Sequence, residues 1–170
     1  ESGANEHRRA EQFRLISEVN QRVTRILPLD PLLQEIVQLT QAALGYDHVG
    51  IGLVEEGHVR YLYGAGPMWQ ERPLRFEPER LEIGRQGLSG WVAELGEPVV
   101  LPDVGKEPRY VHLEGSTTRS EMAVPILSKG RVIGVLDAQS SALDAFDQTD
   151  LAVLQAVAGH AGVVIENSRL

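Results

Sequence analysis

The apolar positions near the start of the chain follow the spacing of helices. Residues 5–27 contain no Gly or Pro, and their apolar side chains recur at intervals of three and four, in a seam of Ile16, Val19, Val23 and Ile26. Pro28 ends this helix, and Asp30 followed by Pro31 is typical of the start of another. The pattern therefore predicts two successive helices, the second ending at Gly45.

The middle of the chain alternates with a period of two, which indicates strands. Apolar residues alternate with small ones over 49–54, and a turn at Glu56–Gly57 leads into a second strand at 58–63. The later elements are predicted in this order: a strand at 74–76, an apolar stretch at 81–84, a helix at 88–95, a strand at 98–103, and a hairpin of 121–127 with 131–139.

The chain ends in a third long helical pattern. Asp147 is a good cap for it, and Asp150 lies at its third position. A second seam repeats at intervals of three and four through Leu151, Leu154, Ala158, Ala161 and Ile165. Because the strands are joined by hairpins rather than by crossover helices, the order of elements predicts an α+β fold with an antiparallel sheet.

Composition narrows the functional classes. The 170 residues include 24 acidic and 16 basic side chains, a net charge of −8, so we expect neither nucleic acid nor an anionic membrane as a partner. The apolar stretches are too short to span a bilayer and there is no signal peptide, so we expect a cytoplasmic protein. The absence of cysteine removes disulfides, thiolate catalysis and thioether-linked chromophores. Both ends look cut, so we expect a piece of a longer protein.

Several stretches of the sequence resemble the GAF domain family. They are IGRQGLSGWVAELGEPVVLPDV at 83–104, TRSEMAVPILSKGRVIGVLDAQS at 118–140, AFDQTDLAVLQAVAGHAGVVIEN at 145–167 and, more briefly, LGYDHVGIGLVEEG at 44–57. The resemblance implies a six-stranded antiparallel sheet with the N- and C-terminal helices packed on one face and a ligand pocket under loops on the other. It divides the chain into an N-terminal signalling, coiled-coil helix at 1–28 and a GAF domain at 29–170 that ends in a C-terminal signalling helix.

The same resemblance implies a regulatory module that senses a small molecule within a signal-transduction protein. We expect the parent to be a two-component sensor histidine kinase, because GAF modules linked by helical seams are common upstream of that kinase core. Two alternatives stay open: a ligand-free dimerisation or scaffold module, and a GAF regulator of a cyclic-dinucleotide enzyme or a transcription factor. The expected partners are an unidentified small molecule, a second copy held through the seams of the terminal helices, and an output domain in the same chain.

Polar residues at the predicted hairpin form the first candidate ligand site. Arg119 and Glu121 begin its first strand, and Asp137 and Gln139 lie in its second. Adjacent antiparallel strands bring Glu121 near Asp137 or Gln139, which suits a small zwitterion or a polar heterocycle. The alternative is that Arg119 and Glu121 pair with nearby backbone and fix the loop.

The other candidates for ligand contact lie in or beside the predicted loops and short helix on the same side: Trp69, Trp91, Asp103, Arg109, Tyr110 and His112. The aromatic residues are suited to stacking on a planar ligand, although Trp91 equally suits core packing. His112 is a candidate haem ligand. No histidines have the spacing of a metal site, so we expect no metal and no covalently bound cofactor.

The hairpin also resembles an enzymatic branch of the family, the free methionine-(R)-sulfoxide reductases, in RSE at 119–121 and GVLD at 134–137. The chemistry of that branch needs cysteines in the loops. Ser89 stands where the segment GLSG would carry one of them, and Gln139 replaces a carboxylate expected after Asp137. We therefore expect that this segment is not an enzyme and has no methionine sulfoxide reductase activity.

Overall fold

The computed structural model describes residues 2–23, 29–70, 80–85, 87–112 and 115–168. These residues form helices and strands in the order α1 Ser2–Val23, α2 Leu29–Leu44, β1 His48–Glu55, β2 His58–Ala65, α3 Pro67–Gln70, β3 Arg80–Glu82, α4 Gly87–Leu95, β4 Val99–Leu101, β5 Ser120–Ser128, β6 Arg131–Ser140 and α5 Gln148–Ser168. The predicted strand at 74–76 lies outside the described residues. Among the helices described, none has both the length and the apolar character that a bilayer crossing requires.

The strands form one antiparallel sheet in the order β3-β2-β1-β6-β5-β4. The pairing of β1 with β6 joins the N-terminal hairpin to the C-terminal one at the centre of the sheet. Helices α2 and α5 pack on one face, over the larger apolar core, and α4 packs on the other. The predicted α+β class and six-stranded antiparallel sheet are confirmed.

The two hairpin turns follow directly from the sequence. Glu56 and Gly57 have φ values of 48° and 78°, and Lys129 and Gly130 have φ values of 52° and 76°. Positive φ at both central residues defines the tight turn whose twist matches that of the strands, and glycine adopts it without strain. The turns set the register next to them, and a β-bulge farther along each hairpin, between Ile51 and Gly52 in β1 and between Ile126 and Leu127 in β5, shifts the pairing by one residue.

The seam of α5 lies inside the domain. Leu154, Ala158, Ala161 and Ile165 belong to the main core and are at most 3% exposed. The helix approaches the sheet closely at Gly162, where a Cβ would lie 2.6 Å from the carbonyl oxygen of Leu127 on β5. The expectation that this seam meets a second copy is therefore corrected, because the domain's own sheet covers the stripe.

Helix α1 packs against α5 and α2. Leu15 and Gln12 are each 2% exposed, whereas Phe13 is 71% exposed. Of the predicted seam, Ile16 is half-buried against the core; the side chains of Val19 and Val23, and residue 26, lie outside the described residues. Gln12 lies four residues before Ile16, so the buried face of α1 continues the predicted stripe toward the N-terminus with a polar side chain.

Asp150 ties three parts of the chain together at the start of α5. Its backbone N–H donates to Asp147 Oδ1 at 2.9 Å, and the Asp147 N–H donates to Asp150 Oδ2 at 2.8 Å, which confirms the predicted cap. Asp150 is fully buried, and Oδ1 accepts hydrogen bonds from the Tyr46 hydroxyl and from the Arg8 guanidinium. The carboxylate thus links α1, the residues before β1 and α5.

Candidate functional site

The face of the sheet opposite α2 and α5 carries two neighbouring rows of small and polar residues. In the first row, Gln139 of β6 lies between His48 of β1 and Glu121 of β5. In the second row, Asp137 of β6 lies between Gly50 of β1 and Ala123 of β5, and Gly64 of β2 lies beyond Gly50. Side chains two residues apart share a face of a strand, so both acids point to the same side. Asp137 has only small neighbours directly across the sheet, and the rings of His48 and Tyr61 lie over Gly50 beside it.

The acidic pair, Glu121 and Asp137, is buried and hydrogen-bonded from both sides. The Tyr110 hydroxyl donates to Glu121 Oε1 at 2.7 Å. The Gln139 amide donates to Asp137 Oδ2 at 2.7 Å, and its oxygen accepts from the Thr118 hydroxyl at 2.6 Å. Glu121 is 5% exposed and Asp137 is 2% exposed. The site is therefore a dry, ordered group of acceptors rather than a pair of solvated surface acids.

Burial and mutual repulsion dominate the electrostatics of the acidic pair. Complete burial and the adjacent Asp137 carboxyl raise the pKa of Glu121 well above its usual range, and the Tyr110 hydrogen bond acts in the opposite direction. Among the described residues, neither acid forms an ion pair with Lys or Arg; the nearest cationic candidate is His48 Nε2, 3.9 Å from Asp137 Oδ2. Asp137 Oδ1 is buried with no hydrogen-bond partner in this part of the chain. The arrangement can receive a compact cation or a hydrogen-bond donor.

Aromatic side chains line one side of the acidic pair. The Trp69 ring of α3 lies on Gly64, where any Cβ would overlap it, and its centroid is 5.9 Å from the His48 ring. The neighbouring Met68 sulfur accepts a contact from the Thr118 hydroxyl at 3.6 Å. Glycine is thus required at position 64, because any side chain there would displace the Trp69 ring from its place on the sheet beside His48.

The other side is formed by α4 and the loop between β4 and β5. Arg109 stacks over the Trp91 ring of α4, with 3.3 Å between its guanidinium carbon and the ring centroid. The Tyr110 ring makes an edge contact with His112, with centroids 4.9 Å apart. The stacking fastens the loop to α4, and this places the Tyr110 hydroxyl over Glu121.

The structure brings together four of the sequence-predicted site residues: Tyr110, Glu121, Asp137 and Gln139. Trp69 lies near them beside His48, whereas Trp91 and Arg109 contact each other above the loop. Asp103 and Arg119 lie apart in their contacts, and His112 reaches the group only through its edge contact with the Tyr110 ring. Asp103 caps the one-turn helix Val104–Lys106 by accepting from Gly105 N–H at 2.9 Å, and the side chains of Arg119 and His112 are exposed.

His48, Tyr61 and Thr118 were missed as site residues. The Tyr61 hydroxyl lies 2.5 Å from Ser89 Oγ, which fixes α4 over the sheet. The alternation of β1 could have identified His48, since it shares a face with Gly50 and Gly52. No local signal identifies Thr118, because its contact with Gln139 depends on the path of the loop. Among the described residues, no group of three or more His, Asp or Glu is placed to hold a metal ion.

The comparisons with known proteins agree with this geometry. The sequence profile of the GAF domain matches residues 28–165. A solved structure of a putative GAF sensor protein from Burkholderia vietnamiensis superposes with a TM-score of 0.83 at 19% identity, over 96% of this chain and 99% of that one. At that identity the likeness shows the fold alone.

Two relatives are enzymes. The free methionine-R-sulfoxide reductase of Saccharomyces cerevisiae is 33% identical over 81 residues, which are 47% of this chain and 44% of the reductase. The free methionine-R-sulfoxide reductase of Neisseria meningitidis, solved in complex with its substrate, is 29% identical with a TM-score of 0.81, over 93% of this chain and 90% of that one. The chain spans less than half the length of the curated relatives that it matches.

These reductases contradict the expectation that the segment is not an enzyme. That expectation relied on the absence of cysteine, which removes only a thiol of the chain's own. A thiol supplied from outside can take the same part in reducing a sulfoxide. The likeness to the reductases also extends over the whole sheet and its loops, rather than over the hairpin alone.

Proposed function

The chain belongs to the GAF domain family, and we propose that it binds a small free amino acid, or an amine of similar size, at Glu121 and Asp137 as the sensing domain of a signal-transduction protein. The observation that carries the proposal is the buried acidic pair with no Lys or Arg partner among the described residues. Buried carboxyl groups are costly unless they are neutralised or paired, so the site favours a ligand that brings its own positive charge.

The surroundings of the pair limit the size of the ligand. Gly50 and Ala123 flank Asp137 across the sheet, and the rings of His48 and Tyr61 lie over Gly50, so a ligand at the carboxyl group has to be small. Trp69 offers an apolar wall for a short side chain. A free amino acid matches both features, and the reductase of Neisseria meningitidis, whose substrate is a free amino acid sulfoxide, supports this choice.

The family suggests what kind of full-length protein contains this domain. We propose a cytoplasmic sensor histidine kinase as the parent, with α5 continuing into the output domain and a homodimer formed through exposed parts of the terminal helices. A dimerisation helix with a phosphorylatable histidine, encoded downstream of Leu170 in the gene, would support this parent. A cyclase, a phosphodiesterase or a DNA-binding domain there would favour the other regulatory contexts.

Calorimetry with free amino acids tests ligand binding. We expect L-methionine or methionine-R-sulfoxide to bind, and the same compounds with an acetylated amine to fail, because acetylation removes the positive charge. Asp137→Asn should weaken binding by roughly 1–3 kcal/mol, the range for a buried charge-assisted hydrogen bond, while the melting temperature stays close to that of the wild type. Equal binding of the free and acetylated compounds would refute a cation site.

Arg119→Ala tests a further contact. Its exposed guanidinium lies beside the strand that carries Glu121, where it could meet the carboxylate of an amino acid. An affinity loss of about 1–3 kcal/mol would place it in the site. Unchanged affinity would limit the site to the acidic pair and its aromatic wall.

A second candidate function is the reduction of free methionine-R-sulfoxide with an external thiol. The 29% identity to the reductase of Neisseria meningitidis over almost the whole chain favours it. The balanced reaction converts one sulfoxide and two thiols into methionine, a disulfide and water, so the chain needs no cysteine of its own. Methionine formation with dithiothreitol, above the rate of an Asp137→Asn control, would establish this activity; equal rates would remove it.

A further inference from the structure

We propose that Glu121 and Asp137 hold one proton between them while the site is empty, that Glu121 carries it, and that a cationic ligand enters in exchange for this proton. The inference rests on the proposed amine site and adds how its charge is controlled. In this arrangement the acidic pair carries one negative charge rather than two, and binding of a monocation leaves the total charge of the buried site unchanged.

The first support is the geometry of the two carboxyl groups. They lie within hydrogen-bonding reach of each other on adjacent strands. Two ionised carboxylates at that separation in a dry site repel strongly, so one of them keeps a proton. The unpartnered Asp137 Oδ1 agrees with this state, because a protonated Glu121 offers a donor where the other described residues offer none.

The second support is the asymmetry of the hydrogen bonds, which assigns the proton. Asp137 accepts a hydrogen bond from the Gln139 amide and lies 3.9 Å from His48 Nε2. Glu121 accepts only the Tyr110 hydroxyl among the described residues, and burial together with the adjacent Asp137 carboxyl raises its pKa. The proton is therefore assigned to Glu121.

The groups around the pair leave this assignment intact. His48 faces Asp137 from β1, and Tyr110 faces Glu121 from the loop, where burial and then the acidic pair raise the pKa of its phenol and keep it neutral. Helix α4 faces the site with the neutral Ser89 and with Trp91, whose ring carries the stacked Arg109 guanidinium, while the Glu94 carboxylate lies against Gly84 instead. Arg119 and His112 are exposed at the edge.

The amide of Gln139 is central to the exchange, because its N–H donates a hydrogen bond to Asp137 and not to Glu121. A carboxyl group at position 139 would add a third acid to the row of His48 and Glu121 and would need a further proton at neutral pH. We therefore expect Gln139→Glu to increase the number of protons released when a cation binds. Gln139→Met, of similar length, removes the donor and should leave the proton spread over both acids.

The test on the unliganded domain is a carbon-13 NMR titration of the side-chain carboxyl groups. We expect the Glu121 carboxyl to show the chemical shift of a protonated acid at pH 7, and Asp137 that of a carboxylate. Asp137→Asn removes the repelling charge and should shift the Glu121 titration to lower pH, whereas Glu82→Gln, which changes an acid on β3, should leave it in place. An ionised Glu121 at pH 7 overturns the proposal whether or not any ligand binds.

The test on binding is calorimetry of methionine-R-sulfoxide, with methylammonium as the minimal cation, in buffers of different ionisation enthalpy. We expect close to one proton released per bound cation, and an affinity that rises by about tenfold per pH unit below the pKa of Glu121. Glu121→Gln, which keeps the shape of the protonated acid, should release no proton. Binding without proton release refutes the exchange alone, whereas absence of binding refutes the amine site and leaves the NMR result to decide the proton.

Discussion

Glu121 is the residue that links stability to function. Its carboxyl group is completely buried beside Asp137, and this raises its pKa well above the ordinary value of 4.5. The folded domain therefore binds the Glu121 proton more tightly than the unfolded chain does. At high pH the buried Glu121 carboxyl ionises, and the domain is then less stable than one with a neutral side chain at this position. Binding sites commonly lower the stability of the fold that carries them in this way.

The first prediction concerns the pH dependence of this effect. The contribution of Glu121 is fully present below pH 4.5, the unfolded value, and is lost as pH rises toward the folded pKa. We expect the free energy of unfolding of the wild type to fall relative to that of Glu121→Gln by up to about 1.4 kcal/mol per pH unit in this window. Urea unfolding at pH 5, 6, 7 and 8 measures the difference; parallel curves would contradict a raised pKa.

At the scale of elements, the close contact of α5 with β5 decides how the helix side of the domain is built. Gly162 lets the helix backbone approach the carbonyl of Leu127, and the alanines of the seam complete the contact. Glycine is normally unfavourable within a helix, by roughly 0.8–1 kcal/mol relative to alanine. Its presence at this position is explained by the approach rather than by helix propensity.

The second prediction compares two glycines of α5. A Cβ at Gly162 would lie 2.6 Å from a backbone oxygen that cannot move aside, so Gly162→Ala should destabilise the domain by about 1–3 kcal/mol. A Cβ at Gly159 meets nothing within 4 Å, so Gly159→Ala should stabilise it by about 0.5–1 kcal/mol. Thermal melts of both variants provide the measurement. Stabilisation by both substitutions would show that α5 does not approach the sheet so closely.

At the scale of the whole molecule, the terminal helices have both a covered and an uncovered side. The seam of α5 and Leu15 of α1 are buried within the domain. Phe13 on α1 and Val163 on α5 remain 71% and 48% exposed. Single exposed apolar side chains are common on protein surfaces, and these two are the large apolar side chains that the described parts of the terminal helices leave exposed. A dimer formed through the terminal helices would therefore use these side chains rather than the seam of α5.

The third prediction follows from these exposed side chains. We expect the wild type to sediment as a dimer at micromolar concentration and Phe13→Glu to sediment as a monomer, because the charge would be buried at the interface. The melting of the isolated domain should change little, since position 13 lies outside its core. Val111→Glu, at another exposed apolar site on the loop opposite the helices, is the control and should remain dimeric. A monomeric wild type would contradict the proposed homodimer.

The sequence alone determined the elements and part of the site. Apolar periodicity, the turns at Gly57 and Gly130 and the cap at Asp147 depend on a few neighbouring residues, so a local pattern is sufficient to predict them. The turns set the register only beside them, because a β-bulge between Ile126 and Leu127 shifts the pairing of β5 with β6 by one residue. The spacing of the hairpin therefore predicted that Glu121 lies near the end of β6 that carries Asp137 and Gln139, whereas the bulge decided that it lies opposite Gln139.

The tertiary structure decided what the local pattern leaves open. The covering of the α5 stripe by the sheet, the buried polar face of α1 and the placement of Tyr110 over Glu121 all depend on contacts between distant parts of the chain. Burial sets the charge of a carboxyl group, and burial is a property of the assembled core. The sequence therefore predicted that Glu121 and Asp137 lie together. Only the fold determined that both carboxyl groups are buried and that the pKa of Glu121 is raised.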